Sequence, residues 1–181
     1  MNSTNLELYV IDDDAELLRS LKLKLALRFN RVQAFESGDA FLASADLQRG
    51  GCAIVDLDMK PGMSGLQVFD ALLQCESPIV VLFLSGTGTI ADAIDATRKG
   101  AFGWLVKPCT DTELLEKIDG ALAQAGGAAE KHKARQSARL LWNKLTPREA
   151  QVARLVAPVH PLPAYGNGRS GPWAPWARAV R

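Results

Sequence analysis

Short apolar runs and amphipathic stretches alternate along the first 125 residues. Leu6 to Ile11 is a β-rich apolar run that stops on three carboxylates, Asp12-Asp13-Asp14. From Ala15 to Phe29 leucines recur at positions 17, 18, 21 and 25 with charges between them, the spacing of a helix with one buried face. Arg31 to Phe35 predicts a short strand, after which Ser37 can cap a helix to Ala45 that turns Phe41 and Leu42 inward. Cys52-Ala-Ile-Val-Asp56 is apolar until it ends on a carboxylate, and the turn-rich Lys60-Pro-Gly-Met-Ser-Gly65 follows. Leu66, Phe69, Leu72 and Leu73 mark a third helical face. Pro78 to Leu84 is a wholly apolar strand halted by Ser85-Gly86. Ile90, Ala93, Ile94 and Thr97 outline a fourth helix, closed by Lys99-Gly100. Phe102 to Val106 makes a fifth strand, ending at Lys107-Pro108. Thr110-Asp-Thr-Glu113 is a capping box for a fifth helix that buries Leu114, Leu115, Ile118 and Leu122.

Five β–α units in this order predict an α/β fold, a central parallel sheet with helices on both faces. Apolar runs without polar alternation are what strands buried on both faces require. Ala125-Gly-Gly127 interrupts the pattern and predicts the end of the fifth helix. Beyond it, Ala134, Ala138, Leu141 and Leu145 outline a thinly apolar, basic connector helix.

Composition adds three constraints. An apolar fraction of 48% and a charged fraction of 23% are those of a soluble globular protein. No apolar run approaches the ~20 residues that span a bilayer, and the first residues lack the pattern of a secretory leader. A cytoplasmic protein with no membrane partner is therefore expected. Cys52, Cys75 and Cys109 fit no metal-ligand spacing and are read as free thiols. The net charge of +1 conceals an asymmetry. Residues 1–125 hold 18 Asp and Glu against 11 Lys and Arg, a balance of −7, whereas residues 126–181 hold 2 against 10, a balance of +8. Two units with different partners follow, nucleic acid being a candidate for the second.

Strand ends carry the candidate chemistry. In an open parallel sheet the C-terminal edge gathers ligands, and here it gathers Asp12 and Asp13, Asp56, Ser85 and Lys107 from four different strands. Carboxylates crowded together repel one another unless a cation lies among them, and hard oxygen donors suit Mg²⁺ better than zinc. A lysine and a hydroxyl facing the same point offer donors to an anion. The set suits an aspartate that attacks a phosphoryl group and becomes an aspartyl phosphate.

Val10-Ile-Asp-Asp-Asp14, Val55-Asp56 followed by Met59 and Pro61-Gly-Met-Ser-Gly65, Leu84-Ser-Gly86 and Trp104-Leu-Val-Lys-Pro108 resemble the motifs of one family. It is the CheY-like receiver domain of two-component response regulators, here of the FixJ/LuxR type, and the likeness covers roughly residues 5–125. The resemblance implies a flavodoxin-like (βα)5 fold in which Asp56 accepts phosphate from a sensor histidine kinase. It implies that Mg²⁺ is served by Asp13 directly, Asp12 at the remove of a water, Asp56 itself and the backbone carbonyl of Asp58. Lys107 would pair with Asp56 and then with the phosphoryl oxygens. Ser85 corresponds to the switch hydroxyl and Trp104 to the aromatic switch, with a static core role for Trp104 as the alternative. Pro108 occupies a position that is often cis. Phosphorylation would favour a homodimer, and catalysis would be limited to the domain's own phosphorylation and dephosphorylation. One departure stands out: the family usually spaces its acceptor four residues before the proline, whereas Asp56 precedes Pro61 by five, so Lys60 resembles an insertion.

Residues 126–144 are expected to link this domain to a second unit. Leu145-Thr-Pro-Arg-Glu149 starts a helix, with Thr146 at the N-cap and Val152, Leu155 and Val156 on its apolar face. Residues 145–157 resemble the first helix of a LuxR-type helix-turn-helix. No recognition helix follows: Pro158 to Arg181 contains five prolines and three glycines in 24 residues, a composition that predicts disorder and is consistent with a frameshift. The expected function is transcriptional control through a DNA-binding domain left incomplete here. The alternative is a stand-alone receiver, a phosphate sink or interaction module without DNA. A small phosphatase is less favoured, since no general acid is placed to protonate a leaving group.

Overall fold

The computed structural model describes residues 6–86 and 90–156. Its elements are β1 (Glu7–Ile11), α1 (Ala15–Ala26), β2 (Val32–Phe35), α2 (Gly38–Ser44), β3 (Gly51–Asp56), α3 (Gly65–Gln74), β4 (Ile79–Ser85), α4 (Ile90–Arg98), β5 (Gly103–Val106), α5 (Asp111–Trp142) and α6 (Pro147–Val156). The five strands form one sheet in the order β2-β1-β3-β4-β5, every pair parallel. β1, β3 and β4 are the three central strands and are buried along their whole length. The edge strands β2 and β5 are shorter and half-exposed.

Because side chains alternate across a strand, each central strand feeds two cores. Tyr9, Ile11, Val55, Val81 and Phe83 pack with Phe41 of α2 and Phe69 and Leu72 of α3. Leu8, Val10, Ile54 and Leu82 pack with Leu18, Leu21 and Leu25 of α1 and with Leu114, Ile118 and Ala121 of α5. The helices begin where short polar side chains satisfy first-turn N–H groups. Asp14 accepts from Glu16 and Leu17, Ser37 from Ala40, and Ser64 forms a reciprocal capping box with Gln67. Gly100, at φ +102°, closes α4 in a left-handed conformation that favours glycine.

The structure differs from the sequence reading in four places. The helix α1 ends at Ala26, not Phe29. Leu73 is exposed, and α3 buries Val68 and Ala71 beside Phe69 and Leu72. On α4, Ile94 and Thr97 face solvent while Ala96 is buried, so the bulkier residues misled the phase of the helix. Most importantly, α5 does not stop at Ala125-Gly-Gly127 but runs unbroken to Trp142. Two glycines cost roughly 2 kcal/mol of helix propensity relative to alanine. Packing offsets that cost: Ala125 is buried, Ala129 lies against Gly50, where a Cβ would collide with it, and His132 hydrogen-bonds Gln48 at 2.8 Å.

The chain divides into two compact units, Met1–His132 and Lys133–Arg181. In the second, Thr146 and Glu149 make the capping box at the start of α6: Thr146 donates from both N–H and hydroxyl to Glu149 Oε2, at 2.8 and 2.7 Å. Val152 is exposed. The side chains of Leu155 and Val156, and the expectations for Pro158 to Arg181, lie outside the described part. Among the described residues no helix is long and apolar enough to cross a membrane.

Candidate functional site

Parallel registry brings the strand ends together. Ile11 pairs with Val55, so Asp12 and Asp56 leave neighbouring strands at the same level. Asp56 pairs with Leu84 and Ser85 with Val106, which puts Ser85 and Lys107 just beyond that level on β4 and after β5. No contact between residues close in sequence could achieve this; it follows from the sheet order. One carboxylate oxygen from each of Asp12, Asp13 and Asp56 lies within 4.8 Å of the others.

Lys107 reaches the cluster from the far strand. Its Nζ donates to Asp12 Oδ2 at 2.6 Å and to Asp56 Oδ1 at 2.8 Å. The family resemblance implies the bond to Asp56, and the bond to Asp12 adds a second partner. Both carboxylates are nearly inaccessible, with side-chain exposures of 3% and 9%, whereas the lysine stem is a quarter exposed. Burial pushes the Asp12 carboxyl above its ordinary value, and hydrogen bonds from Lys107 and the Asp14 N–H offset part of that rise. Burial also pulls Lys107 down, but its two carboxylate partners outweigh this and hold it above the usual lysine range. Lys107 is therefore a cation at neutral pH.

Main-chain donors orient the acids. The Asp14 N–H donates to Asp12 Oδ1 at 2.9 Å, and the Asp58 N–H to Asp56 Oδ2 at 3.1 Å. The Lys60 N–H donates to Asp13 Oδ2 at 2.9 Å, joining the loop after β1 to the loop after β3. The Asp58 side chain is exposed beside the site. At Gly65, the last residue of the Pro61–Gly65 motif, a Cβ would overlap the Asp56 carbonyl oxygen, so α3 starts against β3 only because the residue is glycine.

Ser85 is 1% exposed at the end of β4, and the main-chain N–H of Lys107 donates to its carbonyl at 2.8 Å. Trp104 is half-buried on β5, its ring tilted over Phe83 at 5.4 Å. The Lys107–Pro108 peptide bond is cis, and so is Lys60–Pro61. Glu7 escaped the sequence reading altogether. It is buried near the opposite end of the sheet and met by Arg31 at 3.0 Å and Arg49 at 3.2 Å. An acid inside an otherwise apolar run was its signal.

Three hard-oxygen donors on one point fit a divalent cation, and the adjacent ammonium fits an anion beside it. Comparison with known proteins identifies the family. The response regulator receiver domain matches residues 8–119. The tetrathionate response regulatory protein TtrR of Salmonella typhimurium is 33% identical over 150 residues, covering 83% of this chain and 70% of TtrR. The transcriptional regulatory protein FixJ of Bradyrhizobium diazoefficiens is 33% identical over 150 residues, covering 83% and 73%. Among solved structures, the response regulator StyR superposes with a TM-score of 0.69 at 28% identity, covering 83% of this chain and 76% of StyR. A match that takes in all five strands and the acids at their ends places the chain in the response regulator receiver family of two-component systems.

Proposed function

We propose that Asp56 accepts a phosphoryl group from the phosphohistidine of a sensor histidine kinase. The observation that supports this most directly is the convergence of Asp12, Asp13 and Asp56 within 4.8 Å, with Lys107 bridging two of them. In the transfer an oxygen of Asp56 bonds to phosphorus while the phosphorus–nitrogen bond breaks, and that electron pair stays on the imidazole nitrogen. Lys107 already donates to Asp56 and so keeps a cation beside the phosphoryl oxygens as they arrive. Asp12, Asp13, Asp56 and the carbonyl of Asp58 would hold Mg²⁺, which when bound neutralises charge on the transferring group. The same residues serve the return hydrolysis, and the chemistry proposed for the chain ends there.

Ser85 and Trp104 are the proposed switch pair, one at the end of β4 and the other on β5 behind it. Their movement toward the phosphoryl group would bias an existing equilibrium of the α4-β5-α5 face and favour a homodimer. Control of transcription is proposed as the purpose, on the likeness to FixJ, which is named a transcriptional regulatory protein. Acetyl phosphate with Mg²⁺ should label the parent chain and leave Asp56→Asn unlabelled. Equal labelling of the two would refute the assignment. A gel shift with promoter fragments separates a DNA-binding regulator from a receiver that acts only on proteins.

A further inference from the structure

We infer that the main-chain N–H of Lys60 positions Asp13 for the cation, an inference that rests on the metal-binding reading above. Asp13 differs from the other two acids. Lys107 bridges Asp12 and Asp56, and both are buried, whereas Asp13 is exposed and lies past the end of β1. A free aspartate on a loop samples several rotamers and must give up that freedom when it binds an ion. The 2.9 Å bond from Lys60 to Oδ2 fixes the carboxylate, one oxygen of which lies within 4.8 Å of an oxygen of Asp12 and of Asp56. Hydrogen-bonded partners of this kind orient metal-binding carboxylates and strengthen the site.

The donor exists because of the extra residue in the loop. Residue 60 is followed by Pro61, and proline has no N–H. Without Lys60, proline would directly follow Met59, and that position would present no donor. The five-residue separation of Asp56 from Pro61 therefore places an amide where the commoner spacing places a proline. The Lys60 side chain is exposed and takes no part. The main chain does the positioning, which makes Lys60 a positioning residue for the proposed phosphoryl transfer.

Calorimetric titration with MgCl₂ separates the possibilities. Lys60→Ala keeps the N–H and should bind Mg²⁺ within about twofold of the parent, whereas deletion of Lys60 should weaken binding about tenfold. A folded deletion variant that binds like the parent would overturn the inference, and so would a Lys60→Ala variant as weak as the deletion. Absence of Mg²⁺ binding by the parent would bring down the metal reading itself, and the inference with it. A second measurement does not depend on the deletion variant folding. In ¹H–¹⁵N spectra without metal, Asp13→Asn should move the Lys60 amide proton upfield as a charged acceptor is lost. An unmoved Lys60 amide would also refute the inference.

Discussion

Replacing Lys107 by methionine tests whether the acidic end of the sheet depends on that ammonium when no metal is present. Methionine keeps the length and bulk of the stem, so the change is chiefly electrostatic. Two charge-assisted bonds of 2.6 and 2.8 Å would be lost, and two carboxylates of 3% and 9% exposure would face each other without a cation. Removing one partner of a buried pair costs roughly 3–5 kcal/mol, and the partial exposure of Lys107 sets the expectation near the lower end, about 3 kcal/mol. Lys107 is held above its ordinary 10.5, so its contribution is fully present below that value and fades only as pH rises through the folded value. Asp12 is raised by burial, so its charge costs stability at neutral pH, and the cost disappears as pH falls through the raised value. Without Lys107 that carboxyl loses a group that lowers it and takes up its proton at higher pH. The gap between parent and variant should therefore be widest near neutrality and narrow at mildly acidic pH. Urea unfolding followed by circular dichroism in EDTA, at both pH values, measures it. The Asp12→Asn/Lys107→Met double variant should recover about half the loss, because one of the two stranded charges is gone. A single variant within about 0.5 kcal/mol of the parent near neutrality, or an equal loss at both pH values, would refute the reasoning.

Gly65→Ala should destabilise the fold by about 2 kcal/mol and slow labelling by acetyl phosphate, since its Cβ would overlap the Asp56 carbonyl and push α3 from β3; labelling at the parent rate would contradict this. Gly126→Ala and Gly127→Ala should each stabilise by about 0.5–1 kcal/mol and raise Tm, because both glycines are helical and a Cβ at either meets nothing within 4 Å. Loss of stability in both would mean that α5 breaks there. Burial pushes the Cys52 thiol up to about 12, so iodoacetamide at neutral pH should spare it in the folded protein and modify it only in denaturant. Rapid native labelling of Cys52 would show that β3 is open.

The alternation of apolar runs and amphipathic stretches was sufficient to specify the β–α order and the parallel sheet. Burial on two faces demands continuous apolar residues, as in Cys52 to Val55 and Ile79 to Leu84, and that demand is written locally. Helix starts were equally legible at Ser37, Thr110 and Thr146, because a cap is made by residues within one turn of each other. The candidate acids were legible as strand endings. What lies between distant residues was not. Lys107 bridging Asp12 as well as Asp56, the Lys60 amide on Asp13 and the Arg31 and Arg49 pair on Glu7 all join separate elements, and each depends on registry that only the assembled sheet sets. The long α5 makes the same point from the other side. Two glycines argue locally for a break, and contacts from Gly50 and Gln48, more than seventy residues away in sequence, keep the helix intact. Propensity is a sum of small local terms, and a tertiary contact of comparable size reverses it.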